Sequence, residues 1–157
     1  MNLLELTSAV VWVDFFTILL SKFFNFGKSL DKWYAQFGVV AVVSDCLIIL
    51  LGILFIQLMF PRASVGTLIL FAILFQLAHD YLFYIVVIKG VPAGQNSIID
   101  LFKEYAAENS WKILVADSLM ISATILGAHV LSDLSSEMQS FIGLLGAYGL
   151  TYIIYTK

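Results

Sequence analysis

The sequence is poor in charge: only 12% of its 157 residues are charged, whereas 61% are hydrophobic. A soluble domain of this length carries roughly twice that share of charged residues. The net charge is -3 and the few basic residues are dispersed, so the sequence contains no basic patch of the kind that binds nucleic acid. The composition excludes a nucleic-acid-binding protein and indicates that a lipid bilayer surrounds most of the chain.

Cysteine and histidine are also scarce. The single cysteine, Cys46, excludes an intrachain disulfide and a cysteine-based zinc site. His79 and His129 lie in different hydrophobic segments, which disfavours a metal site, and the sequence has no protease, hydrolase or phosphate-loop motif. We therefore expect no catalytic residue, no metal and no cofactor, although a haem or chlorophyll held by one histidine stays open.

Long hydrophobic runs fill most of the sequence, and each has about the 20 residues that a membrane-spanning helix needs. Polar or helix-breaking segments separate them, such as 27–32 and the Pro61-Arg62 pair. Because Glu5 stands where a signal peptide would carry positive charge, we expect the first run to be retained. The sequence predicts an all-α, single transmembrane domain over 1–157, with spans at 6–24, 33–60, 64–88, 111–131 and 138–155.

A polar segment between the third and fourth spans has helical periodicity. Ile98, Ile99, Phe102 and Tyr105 share one face, which predicts an amphipathic helix over 97–108 on the membrane surface. Asn96 or Ser97 is the expected cap of its first turn. Such a helix either gates a pore or anchors the loop.

The basic residues predict the orientation of the spans. With five spans, only Arg62 falls on one side of the membrane, and the other seven of the eight basic residues fall on the opposite side: Lys22, Lys28, Lys32, Lys89, Lys103, Lys112 and Lys157. The positive-inside rule then places the C-terminus and the surface helix in the cytoplasm and the N-terminus outside or in a lumen. We expect an integral, multi-pass membrane protein.

Four aspartates lie inside the hydrophobic runs of four different spans, at Asp14, Asp45, Asp80 and Asp117. A carboxylate in hydrocarbon costs a few kcal/mol or more unless it faces protein, water or a partner. At ~1.5 Å per residue, all four lie roughly 10 to 20 Å from the cytoplasmic ends of their spans. We expect them to converge on one layer.

The third span adds two polar side chains, Gln76 and His79, on the same sector as Asp80. Adjacent residues of a helix point about 100° apart, so we expect no hydrogen bond between His79 and Asp80. One interpretation is a proton or cation pathway, lined by Asp14, Asp45, Asp80, Asp117, His79 and Gln76. The alternative is a noncatalytic scaffold or complex subunit, in which these side chains form hydrogen bonds between helices or with partner subunits.

The fifth span carries no charge but has a strip of glycines at Gly143, Gly146 and Gly149. Small residues at this spacing favour close helix packing, within the chain or with another copy, while a flexible gate is the alternative. Five spans form a thin bundle, and a homo-oligomer or a larger membrane complex would help to shield four carboxyl groups from lipid.

The stretch from His79 to Met120 contains HDYLFY, a Pro-x-Gly-x-Asn turn at 92–96 and IDLFKEYA. This stretch resembles a segment of uncharacterised multispan membrane proteins encoded by large DNA viruses of algae and protists. The resemblance implies a viral or virus-infected host membrane as the setting, including a virion membrane component. It implies no activity, since none of these motifs is catalytic.

Overall fold

The computed structural model describes residues 1–24 and 26–156. The protein is 83% helical, and no strand lies within those two ranges, which confirms the all-α class. The α-helices are α1 (Leu3–Phe24), α2 (Lys28–Phe37), α3 (Val39–Met59), α4 (Val65–Phe83), α5 (Ser97–Asn109), α6 (Lys112–Leu131) and α7 (Ser136–Ile153). A π-helical segment, Tyr84–Ile88, continues α4.

Four helices are long and apolar enough to cross a membrane: α1, α3, α4 with its π-helical segment, and α6. They overlap the first four predicted spans, and α1 begins three residues before the predicted start of its span. Helix α7 has 18 residues, about 27 Å at 1.5 Å per residue, but is not one of these four. The fifth span therefore stays a prediction.

The predicted second span, 33–60, is divided in the structure. Helix α2 ends at Phe37 and α3 begins at Val39, because Gly38 has a φ of 49° and interrupts the helix. Glycine adopts this backbone conformation without the steric cost that a side chain would add. The first part of the predicted span is thus a separate short helix, and α3 alone has the composition of a span.

The four spanning-length helices enclose one hydrophobic cluster, which fills the half of the bundle that is remote from α2 and α5. Leu6, Ile53, Ile125 and Ala128 are each 0% exposed. The cluster has members from all four helices: Leu6, Ala9, Val10, Cys46, Ile49, Leu50, Ile53, Ile56, Leu68, Ala72, Ile121, Ile125 and Ala128. We call it the apolar plug.

Helices α2 and α5 pack against each other at the opposite end of the bundle, and we call them the α2–α5 layer. The rings of Trp33 and Phe102 lie 4.8 Å apart, centroid to centroid. The predicted helix at 97–108 is α5, and Asn96 caps it by accepting hydrogen bonds from the backbone of Ile98 and Ile99. The C-terminal segment reaches the same end, where the Lys22 ammonium donates to the Thr156 carbonyl. Lys157, used for the orientation, lies outside the described residues.

The chain passes twice through the same order of elements, since α1, α2 and α3 are followed by α4, α5 and α6. Each short helix ends at a residue with nearly the same backbone angles, φ 49° and ψ -119° at Gly38 and φ 50° and ψ -126° at Ser110. An aspartate follows seven residues later in both cases, Asp45 and Asp117. The two halves therefore place Asp45 and Asp117 at equivalent positions.

The first helices of the two halves also correspond. Asp14 precedes Lys22 by eight residues, and Asp80 precedes Lys89 by nine. The extra residue falls in the π-helical segment, where the Lys89 amide donates to the Tyr84 carbonyl, five residues back. Because a π turn holds one more residue than an α turn, Asp14 and Asp80 are equivalent as well.

The glycine strip of α7 packs against α1. A Cβ atom added at Gly143 would lie 2.5 Å from the Ser8 Oγ, and one at Gly146 would lie 2.8 Å from Val11 Cγ1. A Cβ at Gly149 would lie 3.1 Å from the Phe15 ring. Close approach also allows the Trp12 indole to donate to the Ile142 carbonyl at 2.9 Å. The partner of the strip is thus a helix of the same chain.

Gly143→Ala should lower the stability of the bundle by roughly 1 to 3 kcal/mol, since the added methyl overpacks the α1–α7 contact. Thermal unfolding in detergent measures the change. Gly66→Ala is the matched control, because its added Cβ would have no heavy atom within 4 Å among the described residues. Equal loss of stability in both variants would contradict the tight contact between α1 and α7.

Candidate functional site

The four aspartates lie on four different helices at the end of the bundle that the α2–α5 layer covers. Asp14 and Asp45 are electrostatic neighbours, as are Asp80 and Asp117. Asp45 also lies within electrostatic range of Asp117. The four carboxyl groups that the sequence singled out thus lie at the same end of the bundle.

In the first half of the chain, Asp45 is held by the α2–α5 layer. Its Oδ2 accepts a hydrogen bond from the Trp33 indole N–H at 3.1 Å and another from the Tyr34 hydroxyl at 3.0 Å. Asp14 is 0% exposed, and neither of its oxygens has a hydrogen-bond partner among the described residues. The Tyr34 hydroxyl lies within electrostatic range of Asp14 as well, but its hydrogen bond is to Asp45.

In the second half, the partners of Asp80 come from its own helix and from α6. Its Oδ1 accepts from the Gln76 amide at 2.8 Å and is 3.1 Å from the His79 Nδ1. The Asp117 carboxyl lies within electrostatic range of Asp80.

The expectation that His79 and Asp80 form no hydrogen bond was wrong. The angle of about 100° separates the directions in which the two side chains leave the helix, but it does not fix where they end. The His79 ring stacks on Phe83, with 6.0 Å between centroids and 12° between planes. In this orientation Nδ1, the ring nitrogen nearest the backbone, meets the Asp80 carboxylate.

Tyr105 of α5 lies within electrostatic range of both halves, namely of Asp117, Asp45 and Tyr34. Burial, together with the Asp117 and Asp45 carboxylates, raises the pKa of Tyr105, and burial with the Asp45 and Asp14 carboxylates raises the pKa of Tyr34. Both hydroxyls therefore keep their protons at neutral pH.

These side chains lie at one end of the bundle within electrostatic range of one another, and hydrogen bonds join Tyr34 to Asp45 and His79 to Asp80. We call the group the carboxyl row: Asp14, Tyr34, Asp45, Tyr105, Asp117, Asp80 and His79. Gln76 supports it by its hydrogen bond to Asp80. The row runs across the bundle from α1 to α4, beneath the α2–α5 layer. The apolar plug fills the bundle between the row and the N-terminal end.

The row has no basic counter-charge other than its histidine. Across residues 1–24 and 26–156, no lysine or arginine forms an ion pair with any of the four aspartates. Nor does that part of the chain contain a group of three or more histidine, cysteine, aspartate or glutamate side chains arranged to hold a metal ion. The carboxyl groups are thus left with hydroxyl, amide, indole and imidazole partners.

His79 stands at the end of the row that is nearest to the outside of the bundle. Its side chain is 37% exposed. It lines a groove of about 430 Å³ between α3 and α4, whose other lining residues are apolar apart from the backbone: Ile48, Leu51, Gly52, Leu54, Phe55, Leu58 and Phe75. At the opposite end of the row, Asp14 is fully enclosed.

Sequence reasoning missed the roles of Trp33, Tyr34 and Tyr105. Tyr105 was placed on the apolar face of the surface helix, and its phenol hydroxyl was the signal that this face also meets polar groups. Trp33 and Tyr34 were assigned to the second span. Their contact with Asp45 depends on the turn at Gly38, which folds α2 back over α3.

Acidic residues of α5 hold α2 against α5 within the layer. The Glu108 carboxylate accepts from the backbone N–H groups of Lys28 at 2.9 Å and Ser29 at 2.8 Å, and so caps the start of α2 from another helix. Hydrogen bonds from the Ser29 side chain and from these two N–H groups lower the pKa of Glu108. Lys32 and Glu104 form an exposed ion pair at 2.6 Å beside this contact.

Glu108→Gln should loosen the start of α2, because a neutral amide oxygen accepts hydrogen bonds more weakly than a carboxylate. Faster hydrogen exchange at the Lys28 and Ser29 amides, measured at one pH against wild type, would show it. Since the pKa is lowered on folding, the stabilising contribution of Glu108 is full above its ordinary value of 4.5. It should disappear in the wild type as the pH falls through the lowered value.

Glu137→Gln is the control for this substitution, since Glu137 also has a lowered pKa, caused mainly by its own backbone N–H at the start of α7. Exchange at α2 should not respond to it. An unchanged exchange rate in Glu108→Gln would mean that α2 is held by its apolar contacts alone.

No protein-family model, curated protein or solved structure matches this chain. Its class rests on its own fold. It is an all-helical protein with four helices that are compatible with crossing a membrane.

Proposed function

We propose that the protein is a small multi-pass membrane transporter or gated channel that moves protons or small cations by means of the carboxyl row. The observation that carries this proposal is the placement of four carboxyl groups, from four helices, at one end of the bundle and within electrostatic range of one another. Ionisable residues inside a membrane domain are rare, and they commonly mark ion pathways and proton relays.

Electrostatics supports a role in ion handling. Two carboxylates 4 Å apart repel each other by roughly 4 kcal/mol at an effective dielectric constant of 20. Four aspartates in separate contacts between helices would be too far apart to repel one another strongly. Four carboxylates in one row do repel one another. A row without lysine or arginine partners among the described residues is therefore suited to hold mobile positive charge.

The apolar plug bears on the type of transport. Its tightly packed side chains separate the row from the N-terminal end, so the described conformation has no open path along the bundle axis. The row is separated from the other end only by the α2–α5 layer, which is joined to α3 and α6 at Gly38 and Ser110. We propose that this conformation is closed towards the N-terminal end.

The proposal includes an arrangement of the helices in the membrane. Helix α7 is the proposed fifth span, packed along α1 by its glycine strip, with the N-terminus outside or in a lumen and the C-terminus in the cytoplasm. Only 17% of the apolar window of α4 and 22% of that of α6 are buried within the chain. These faces suit lipid or a second copy in a homo-oligomer, in a viral or a cellular membrane.

A noncatalytic scaffold or complex subunit is the second candidate. The hydrogen bonds from Trp33 and Tyr34 to Asp45 favour it, because they give one carboxyl group a structural task in holding α2 on the bundle. The apolar plug favours it too, since a scaffold needs no path. This candidate predicts a folded protein that conducts nothing.

Flux measurements in proteoliposomes separate the two functions. Under an imposed pH gradient and membrane potential, wild type should conduct protons or cations, and Asp80→Asn and Asp117→Asn should reduce the flux by about tenfold or more, as expected for loss of a proton-carrying group. Asp133→Asn is the control, because Asp133 lies in an exposed turn between α6 and α7.

The results have distinct meanings. Absence of flux from folded wild-type protein would favour the scaffold. Flux that tolerates Asp80→Asn and Asp117→Asn as well as Asp133→Asn would contradict a pathway through the carboxyl row.

A further inference from the structure

The groove between α3 and α4 is an apolar surface on the outside of the bundle. Three of its lining residues, Leu51, Phe55 and Leu58, are 61%, 46% and 80% exposed. The lining residues of α3 run from Ile48 to Leu58, about 15 Å along the helix at 1.5 Å per residue. The groove is therefore elongated and accessible to a molecule dissolved in the bilayer.

His79 is the polar side chain of this groove, and it stands near one end. Phe55 of α3 and Phe75 of α4 lie side by side, with 5.1 Å between ring centroids. His79 follows Phe75 by one helical turn, in the direction of the α2–α5 layer. The apolar lining extends from His79 the other way, towards Leu58.

Hydrogen bonds to Asp80 determine which ring nitrogen of His79 is available. Oδ1 of Asp80 accepts from the Gln76 amide at 2.8 Å and lies 3.1 Å from Nδ1 of His79. An oxygen that accepts from the amide accepts from the ring as well, so Nδ1 carries the proton of the neutral imidazole and Nε2 carries a lone pair. No described residue donates to Nε2. The groove thus presents one hydrogen-bond acceptor within an apolar surface.

We propose that this groove binds a lipid-soluble hydroquinone, which donates a hydrogen bond from one hydroxyl to Nε2 of His79. The aromatic ring of the hydroquinone lies beside Phe75, and its alkyl chain follows the α3 lining towards Leu58. Binding here is independent of transport through the carboxyl row.

The depth of His79 favours a hydroquinone over a phospholipid. His79 lies nine residues from the end of its spanning-length helix at Ile88, roughly 14 Å at 1.5 Å per residue. A phospholipid keeps its charged head group at the water interface, because charge within hydrocarbon is costly. A hydroquinone is uncharged, and its bond to Nε2 offsets the cost of taking a hydroxyl out of water.

Aromatic side chains near His79 favour a ring over a sterol or an acyl chain. The His79 ring stacks on Phe83, with 6.0 Å between centroids, and Phe75 lines the groove one turn away. Aromatic rings gain stability from packing on one another beyond the area that they bury. A sterol supplies a hydroxyl without an aromatic ring, and an acyl chain supplies neither.

The reduced form of the ligand fits this site better than the oxidised form. A hydroquinone hydroxyl donates a hydrogen bond, whereas the two oxygens of a quinone only accept. Because Nε2 of His79 is an acceptor, a bound quinone leaves it unpaired. We expect the hydroquinone to bind roughly threefold to tenfold more tightly than the quinone, which is the effect of one hydrogen bond.

The experiment measures equilibrium binding of a decyl-substituted hydroquinone, kept under argon, and of the matching quinone. The protein is held in phospholipid nanodiscs at mildly alkaline pH, so ordinary lipid competes in every sample. His79→Phe should abolish the preference for the hydroquinone, because phenylalanine keeps a ring but has no acceptor. His129→Phe is the matched control and should keep the preference, since His129 lies outside this groove.

A second pair of variants tests the groove and leaves His79 in place. Leu51→Trp puts a larger side chain into the groove and should weaken binding of both probes by about tenfold or more. Leu119→Trp is its control, because Leu119 of α6 is a leucine of similar exposure, 65%, outside the lining. It should bind both probes within about twofold of wild type. Thermal unfolding in detergent confirms that each variant is folded.

Three binding results would overturn the proposed site. Absence of saturable binding would mean that ordinary lipid fills the groove. Equal or tighter binding of the quinone to wild type would remove the hydrogen bond to His79. Binding that survives Leu51→Trp would place the ligand elsewhere on the protein.

Two other occupants have their own signatures, and either would also overturn the site. A pigment that purifies with wild type and is lost in His79→Phe would assign Nε2 to the metal of a tetrapyrrole, since metal-bound histidines commonly donate their other N–H to a carboxylate. A change of oligomeric state in Leu51→Trp would assign the groove to a second copy of the chain. Absence of flux in proteoliposomes would remove the proposed function and leave this site in place.

Discussion

The cost of placing carboxyl groups inside an apolar bundle governs this structure. A carboxylate in hydrocarbon is expensive, and each of the four aspartates must find hydrogen-bond donors or a proton. Asp45 meets this need through Trp33 and Tyr34, and Asp80 through Gln76 and His79. The position of α2 over the end of the bundle follows from the first of these contacts.

The need of the buried carboxyl groups for hydrogen-bond donors also explains the role of the α2–α5 layer. Its aromatic residues pack on one another, and the Tyr34 hydroxyl and the Trp33 indole donate hydrogen bonds to Asp45 of α3. Glu108 and Glu104 then hold α2 to α5 from the exposed side. The α2–α5 layer covers one end of the bundle, and the apolar plug fills the other. The row lies between them.

The repeated order of elements gives the row its symmetry. Each half contributes one aspartate from its first helix and one from its second, with a short helix between them. The halves differ in detail. Asp45 accepts hydrogen bonds from the short helix of its own half, whereas Asp80 is bonded by Gln76 and His79 of its own helix. The half that holds His79 is the half that comes nearest to the outside.

The sequence by itself determined the helical class and the apolar segments of α1, α3, α4 and α6. It also determined the helix at α5 with its Asn96 cap and the shared depth of the four aspartates. These features follow from periodicity, hydropathy and rise per residue, which are local properties of the chain. Only the tertiary structure decided the turn at Gly38, the bond between His79 and Asp80, and the hydrogen bonds from Trp33 and Tyr34 to Asp45. These features depend on side-chain torsions and on contacts between distant segments. A pattern of residue types records neither of them, since it gives the direction in which a side chain leaves its helix but not the partner that it meets.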